Sequence, residues 1–171
     1  MNSFDEVYRA KKLGKLDEVL RLLIDRKTGG LRAPYRTSAN HSWYAVGDIL
    51  FLKMDYKNAV IAFKKALRSR TDDYQALWAI ANCYSCLTKP VFAERYFRKA
   101  IQYAPKEEHE SLRYDLGNAL FDQQNYAEAI RLYTSIKKAN LALYKKAQKN
   151  VAIAKERVRL GSEISPRRAD E

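Results

Sequence analysis

The sequence predicts an all-α fold built as one stack of antiparallel helix pairs, and three observations predict it. Apolar and small residues recur at a 34-residue period: Trp43, Val46, Gly47, Leu50, Ala59, Phe63 and Ala66 return as Leu77, Ile80, Ala81, Tyr84, Ala93, Phe97 and Ala100, and Pro105 closes the block. A third block, two residues out of step, supplies Leu116, Gly117, Leu120, Ala129 and Tyr133. Within the blocks these residues stand at the spacing of one helix face, with helix-start residues where several runs begin. A repeat of this length cannot bury its apolar face alone, so successive units stack into a continuous core.

Residues 1–26 read as a degenerate N-terminal helix pair. Phe4, Val7 and Tyr8 lie on its first helix, Gly14 breaks it, and Leu16, Val19, Leu20, Leu22, Leu23 and Ile24 lie on its second. The run from Gly14 to Val19 resembles Met54 to Ala59 and Gln124 to Ala129, and an end repeat is atypical because one side meets water. Over 27–39 the periodicity stops, and Gly29, Gly30 and Pro34 mark a loop too long for a repeat junction. A surface insertion accounts for it; the functional alternative is a loop that leans over a groove through Leu31 and Tyr35. Repeats follow at 40–73, 74–107 and 110–139, with helices near 40–53, 56–69, 73–87, 90–103, 109–123 and 126–138. Ser38 or Asn40, Asp72 or Asp73, and Pro90 supply start signals. Over 140–161 the small residues are lost, but Tyr144, Ala147, Val151, Ala154 and Val158 keep helical spacing. Lys145, Lys146, Lys149, Lys155, Arg157 and Arg159 occupy the other side, as in a capping helix with one wet face. A single domain therefore spans 1–161, and 162–171, with Ser165-Pro166-Arg167-Arg168, is expected as a disordered tail.

With 171 residues, 47% hydrophobic and 30% charged, the chain has the composition of a globular domain with a full core. No apolar run reaches the ~18 residues that span a bilayer, and the start, Met1 to Glu6, lacks the charged-then-apolar layout of a leader. A cytoplasmic location is the expectation. The net charge of +12 is uneven: residues 137–171 carry ten basic against four acidic residues, and 110–136 two against four. A basic surface attracts nucleic acid or anionic membranes, and it also keeps a protein soluble. Cys83 and Cys86 form a Cys-Tyr-Ser-Cys motif about ten residues into a helix, away from the helix N-terminus that would activate a thiol, and no second cysteine pair completes a zinc site. They are read as packing residues. There is no Gly-rich phosphate loop, no metal-ligand cluster and no Ser or Cys beside a general base, so no catalytic residue, metal or cofactor is assigned.

The repeated positions resemble the tetratricopeptide (TPR) family, strongly over 40–139 and weakly in the N-terminal pair and last helix. The resemblance implies a right-handed solenoid whose C-terminal solvating helix closes the stack. In that family the first helix of each pair lines a concave groove that captures an extended peptide or a partner's helix. Carried over by position, the groove holds His41, Tyr44, Asp48 and Phe51, then Gln75, Trp78, Asn82 and Ser85, then Ser111, Tyr114, Asp115, Asn118, Phe121 and Asp122. Tyr44, Trp78 and Tyr114 form an aromatic ladder beside Asn82 and Asn118, suited to apolar contact and to bonding an extended backbone; the competing reading packs some of these rings between repeats. Family members that hold the C-terminal carboxylates of heat-shock chaperones use a lysine-rich clamp, and the matching places here hold Tyr44 and Asp48. The three-repeat size and the aromatic groove are also similar to the TPR chaperones of bacterial type III secretion, which are typically acidic. Lys64, Lys65, Arg68, Arg98 and Lys99 fall on the second helices, whose exposed side is convex, with no aromatic interleaved to stack a base. The leading expectation is a non-enzymatic module binding a protein or peptide partner, and the less favoured reading is a module for nucleic acid or another polyanion that works through the basic convex face and the C-terminal helix.

Overall fold

A computed structural model describes residues 3–164, and among these the regular structure is helical. The chain divides into two compact units, residues 1–89 and 90–171. The first contains α1 (Ser3–Lys12), α2 (Leu16–Leu23), the short α3 (Ala33–Arg36), α4 (Ala39–Leu52), α5 (Tyr56–Ser69) and α6 (Tyr74–Cys86). The second contains α7 (Pro90–Tyr103), a 3-10 turn (Lys106–Glu108), α8 (His109–Asp122), α9 (Tyr126–Thr134) and α10 (Leu141–Ile164).

Consecutive helices pack as pairs: α1 on α2, α4 on α5, α5 on α6, α7 on α8, and α8 on α9. The pairing follows from small residues. A methyl group built on Gly47 would stand 2.7 Å from the Phe63 ring, and one on Gly117 would stand 2.7 Å from the Tyr133 ring, so glycine lets α4 and α5, and likewise α8 and α9, close to ring contact. Val7, Val19, Leu23, Val46, Ile49 and Ala62 fill the core of the first unit. In the second, Leu112, Leu116, Leu120, Tyr133 and Ile136 are buried, and α10 adds Ala147, Val151 and Ala154 from the face the sequence assigns to the cap.

Asp73 caps α6 by accepting from the N–H groups of Gln75 and Ala76, both at 3.1 Å. Asp55 caps α5 through Asn58, and Pro90 opens α7. Ser38 makes no capping bond at α4; Asn40 instead donates across the pair to Ala66 O at 3.2 Å and to Asp73 Oδ2 at 2.9 Å.

The expected boundaries move in three places. The loop at 27–39 contains α3 and is fastened to the core: Leu31 and Tyr35 are buried, Leu31 bridges Ile24, and Ser42 donates to Tyr35 O at 2.8 Å. Neither side chain is available to gate a groove. Helix α9 stops at Thr134, four residues early, where the hydroxyls of Thr134 and Ser135 bond the carbonyls of Ile130 and Leu132 and compete with the backbone ladder. Helix α10 runs through Gly161 to Ile164; the remainder of the expected tail, 165–171, lies outside the described residues.

Candidate functional site

Helices α4 and α6 neighbour one another in the first unit and carry two of the three sets of groove positions. On α4, the Tyr44 ring packs edge-on to Phe63 at 5.3 Å and Phe51 packs edge-on to Tyr56 at 5.2 Å. Both rings are half-buried, and burial, helped by the charge of Asp48, pushes the Tyr44 hydroxyl above the usual phenol range. His41 is exposed; its ring stands edge-on to Phe4 at 4.7 Å and its Nε2 shares a hydrogen bond with the Tyr8 hydroxyl at 2.9 Å. Asp48 is paired with Lys11. Tyr8 and Lys11, three residues apart on α1, are therefore part of this face, and the sequence reading missed both. Their signal was the i, i+3 spacing on an end repeat whose register was too degenerate to align. On α6, Gln75 is exposed, and Trp78, Asn82 and Ser85 are half-buried.

In the second unit the equivalent positions face a different neighbour. Tyr114 packs on Tyr133 at 5.7 Å, and its hydroxyl accepts from Asn150 of α10 at 3.2 Å. Asn118 Oδ1 accepts from Asn150 at 3.1 Å and from the Tyr133 hydroxyl at 2.8 Å, so the amide carbonyl of Asn118 is already engaged. Burial raises the Tyr133 phenol well above its usual range and keeps it a donor to that carbonyl. Phe121 packs on Tyr126 at 5.1 Å, repeating the Phe51 and Tyr56 contact. Ser111 and Asp115 are half-buried, and Asp122 is largely exposed at its edge, where partial shelter from water raises its carboxyl. Asn118, Phe121, Asp122, Asn150 and Ile153 line a small cavity of about 230 Å3 here.

The basic residues do not act alike. Lys65 lies over the Trp43 ring, 4.0 Å from its centroid, and Lys64 donates to the Tyr84 hydroxyl at 3.2 Å. Aromatics thus do accompany these lysines, contributed by α4 and α6 rather than interleaved on α5. Arg68 is exposed. In the second unit Arg98 donates to both Glu94 and Glu128 at 2.8 Å, and Lys99 lies 5.9 Å from the Tyr96 ring. Burial pushes the Glu94 carboxyl up, but the bonds from Gln123 and Arg98 outweigh it and hold the group below its ordinary range. Cys83 is buried, its thiol pushed up to about 12 by burial, and Cys86 is exposed. Among the described residues no three His, Cys, Asp or Glu side chains are grouped to hold a metal ion.

Residues 41–73, which hold most of α4, all of α5 and the Asp73 cap, match the tetratricopeptide repeat family model. That segment is similar to one tetratricopeptide repeat. Two solved structures resemble most of the chain in fold. One is YrrB, described as a TPR protein with an unusual peptide-binding site, at 18% identity and a TM-score of 0.71, covering 89% of this chain and 74% of YrrB. The other is MamA from Desulfovibrio magneticus RS-1, at 18% identity and a TM-score of 0.67, covering 95% of this chain and 96% of that one. At such identity the likeness is one of fold, and the fold here is that of TPR proteins. No curated protein matches the sequence.

Proposed function

We propose that this protein is a non-enzymatic interaction module that binds a peptide or helix of a protein partner on the α4 and α6 face of its first unit. The observation that carries the reading is the juxtaposition on this face of partly exposed rings and amides: His41, Tyr44 and Phe51 on α4, and Gln75, Trp78, Asn82 and Ser85 on α6. Rings bury a large apolar area at small entropic cost, and amides bond an extended backbone. The peptide-binding site described for YrrB, on the same fold, supports it. Because Lys11 counters Asp48, the best ligand carries a neutral flank beside its apolar anchor. In the second unit Tyr114 and Asn118 hold α10 through Asn150, which makes this set the weaker part of the site. No helix among the described residues is long and apolar enough to cross a membrane, and a cytoplasmic location belongs to the proposal.

The polyanion reading is weaker, because Arg98 is matched by two carboxylates and Lys64 is engaged by Tyr84. Salt separates the two. A peptide selected from a displayed random library should keep its affinity within about threefold as salt rises from about 50 to about 200 mM, whereas binding through six or more phosphate contacts falls on the order of a thousandfold. A single-stranded 20-mer that binds tightly at physiological salt, and loses binding when Lys64, Lys65, Arg98 and Lys99 are changed to Glu, would reverse the order of the readings.

A further inference from the structure

A pocket of about 450 Å3 opens in the first unit among α2, the segment that follows it, α4 and α5. None of the α4 or α6 residues assigned to the face above lines it. Its apolar wall is built from Leu20 and Ile24, Trp43 and Leu50, and Ile61, which is 53% exposed at the mouth. This volume suits one or two inserted side chains. Arg21, Arg26 and Lys65 stand around the opening, and the Lys65 ammonium is fixed 4.0 Å over the Trp43 ring. An adjoining hollow of about 470 Å3 shares Arg21, Ile24 and Arg26 and adds Asp25, Lys27 and Arg32.

The acidic groups on this surface are already engaged. Asp17 is paired with Lys53, and the Asp25 carboxylate accepts the N–H groups of Lys27 at 2.8 Å and Thr28 at 3.4 Å. Among the described residues no carboxylate is within ion-pair distance of Arg21, Arg26, Lys27, Arg32 or Lys65. An apolar recess is thereby joined to a shelf on which Arg21, Arg26, Lys27, Arg32 and Lys65 outnumber the carboxylates of Asp17 and Asp25.

We propose that this recess is a second docking site, taking an acidic segment of a protein partner that inserts an aromatic or branched aliphatic side chain beside Trp43 and sets its carboxylates on Arg21 and Arg26. Charge complementarity selects this occupant. A second copy of the chain, at net +12, is repelled overall as it approaches, despite its acidic stretch at 110–136. A nucleic acid satisfies the shelf but leaves the recess unfilled, and Lys65 covers a face of Trp43 on which a base would stack. The preference also differs from the neutral one of the α4 and α6 face, where Lys11 counters Asp48, so the protein would hold two segments of unlike composition. Linking two such contacts raises affinity through effective concentration without any new contact.

The test uses the full chain and a fluorescein-labelled decapeptide, Ser-Gly-Asp-Asp-Phe-Leu-Glu-Asp-Gly-Ser, followed by anisotropy and by the indole N–H resonances of Trp43 and Trp78. Binding should shift the Trp43 resonance, and Arg21→Glu with Arg26→Glu should weaken it at least tenfold with the helical circular dichroism unchanged. Ile61→Glu, at an exposed position, should weaken it as well. Trp78→Ala should leave this peptide's affinity unchanged. The proposal is overturned if the double variant binds as tightly as the parent, or if the peptide does not bind. It is equally overturned if peptides with Lys for each acid, or Ala for Phe-Leu, bind as well, or if a single-stranded 20-mer displaces the peptide at equal concentration. Loss of binding in Trp78→Ala with no Trp43 shift would place the peptide on the other face, overturning this site while the functional reading above stands.

Discussion

A β-carbon at position 47 would stand 2.7 Å from the Phe63 ring, in the interior of the α4 and α5 pair, with no flexible side-chain end to give way. Gly47→Ala should therefore destabilise the first unit by about 1 to 3 kcal/mol, the usual cost of overpacking, measured by chemical denaturation; Phe63→Leu in the same chain should recover part of the loss. Gly161→Ala, inside α10 where nothing lies within 4 Å, should instead gain up to about 1 kcal/mol of helix propensity, and an equal gain in Gly47→Ala would show that the Phe63 ring gives way. The same scale explains what the ladder of Tyr44, Trp78 and Tyr114 could and could not reveal. Its register was legible from the repeat, but the ring each tyrosine packs on was not, since Phe63 and Tyr133 lie 19 residues further along the chain. Nor was the Asn150 bond to Tyr114 and Asn118, because α10 departs from the repeat and its register carries no internal reference.

Four helices end in the same way. After α1, α4, α6 and α8 the residues Gly14, Met54, Thr88 and Gln124 turn left-handed, with φ of 69°, 60°, 53° and 63°. Each is followed by a residue whose N–H bonds back five positions, to Ala10, Leu50, Tyr84 and Leu120, the Schellman pattern of a helix C-terminus. Left-handed backbone costs a side-chain-bearing residue about 1 to 2 kcal/mol, and Met54 is 75% exposed, with no packing to lose. Met54→Gly is expected to stabilise the first unit by about 0.5 to 1 kcal/mol after the extra unfolded-state entropy of glycine; a lower denaturation midpoint would contradict this. Only Gly14 announces such a turn in the sequence. Met54 and Gln124 were legible through the repeat, where Asp55 and Asn125 follow at matching places, and Thr88, followed by Lys89, was not. The segment at 27–39 was misread as open because Leu31 and Tyr35 follow no period, although both are buried. Their partners, Ile24 through a bridge and Phe4 through an edge-on contact at 5.2 Å, come from α1 and from the end of α2.

For the whole molecule the helical repeat was the most legible feature, and the distribution of charge the least. A net charge of +12 says nothing of which cations are matched: Arg98 carries two carboxylates, while among the described residues no carboxylate lies within ion-pair distance of Arg21 or Arg26. That difference arises between helices, beyond any linear pattern. The central claim is that a protein segment binds the α4 and α6 face, with Trp78 as its anchor. The measurement that tests it most directly is calorimetric titration of a library-selected peptide into the parent and Trp78→Ala, alongside far-UV circular dichroism of both. The account predicts a loss of about 2 kcal/mol or more, roughly thirtyfold in affinity, with helix content nearly unchanged. Equal affinity in the folded variant, or unfolding of Trp78→Ala with no separate effect on binding by the folded fraction, would contradict it and make the ring a packing residue.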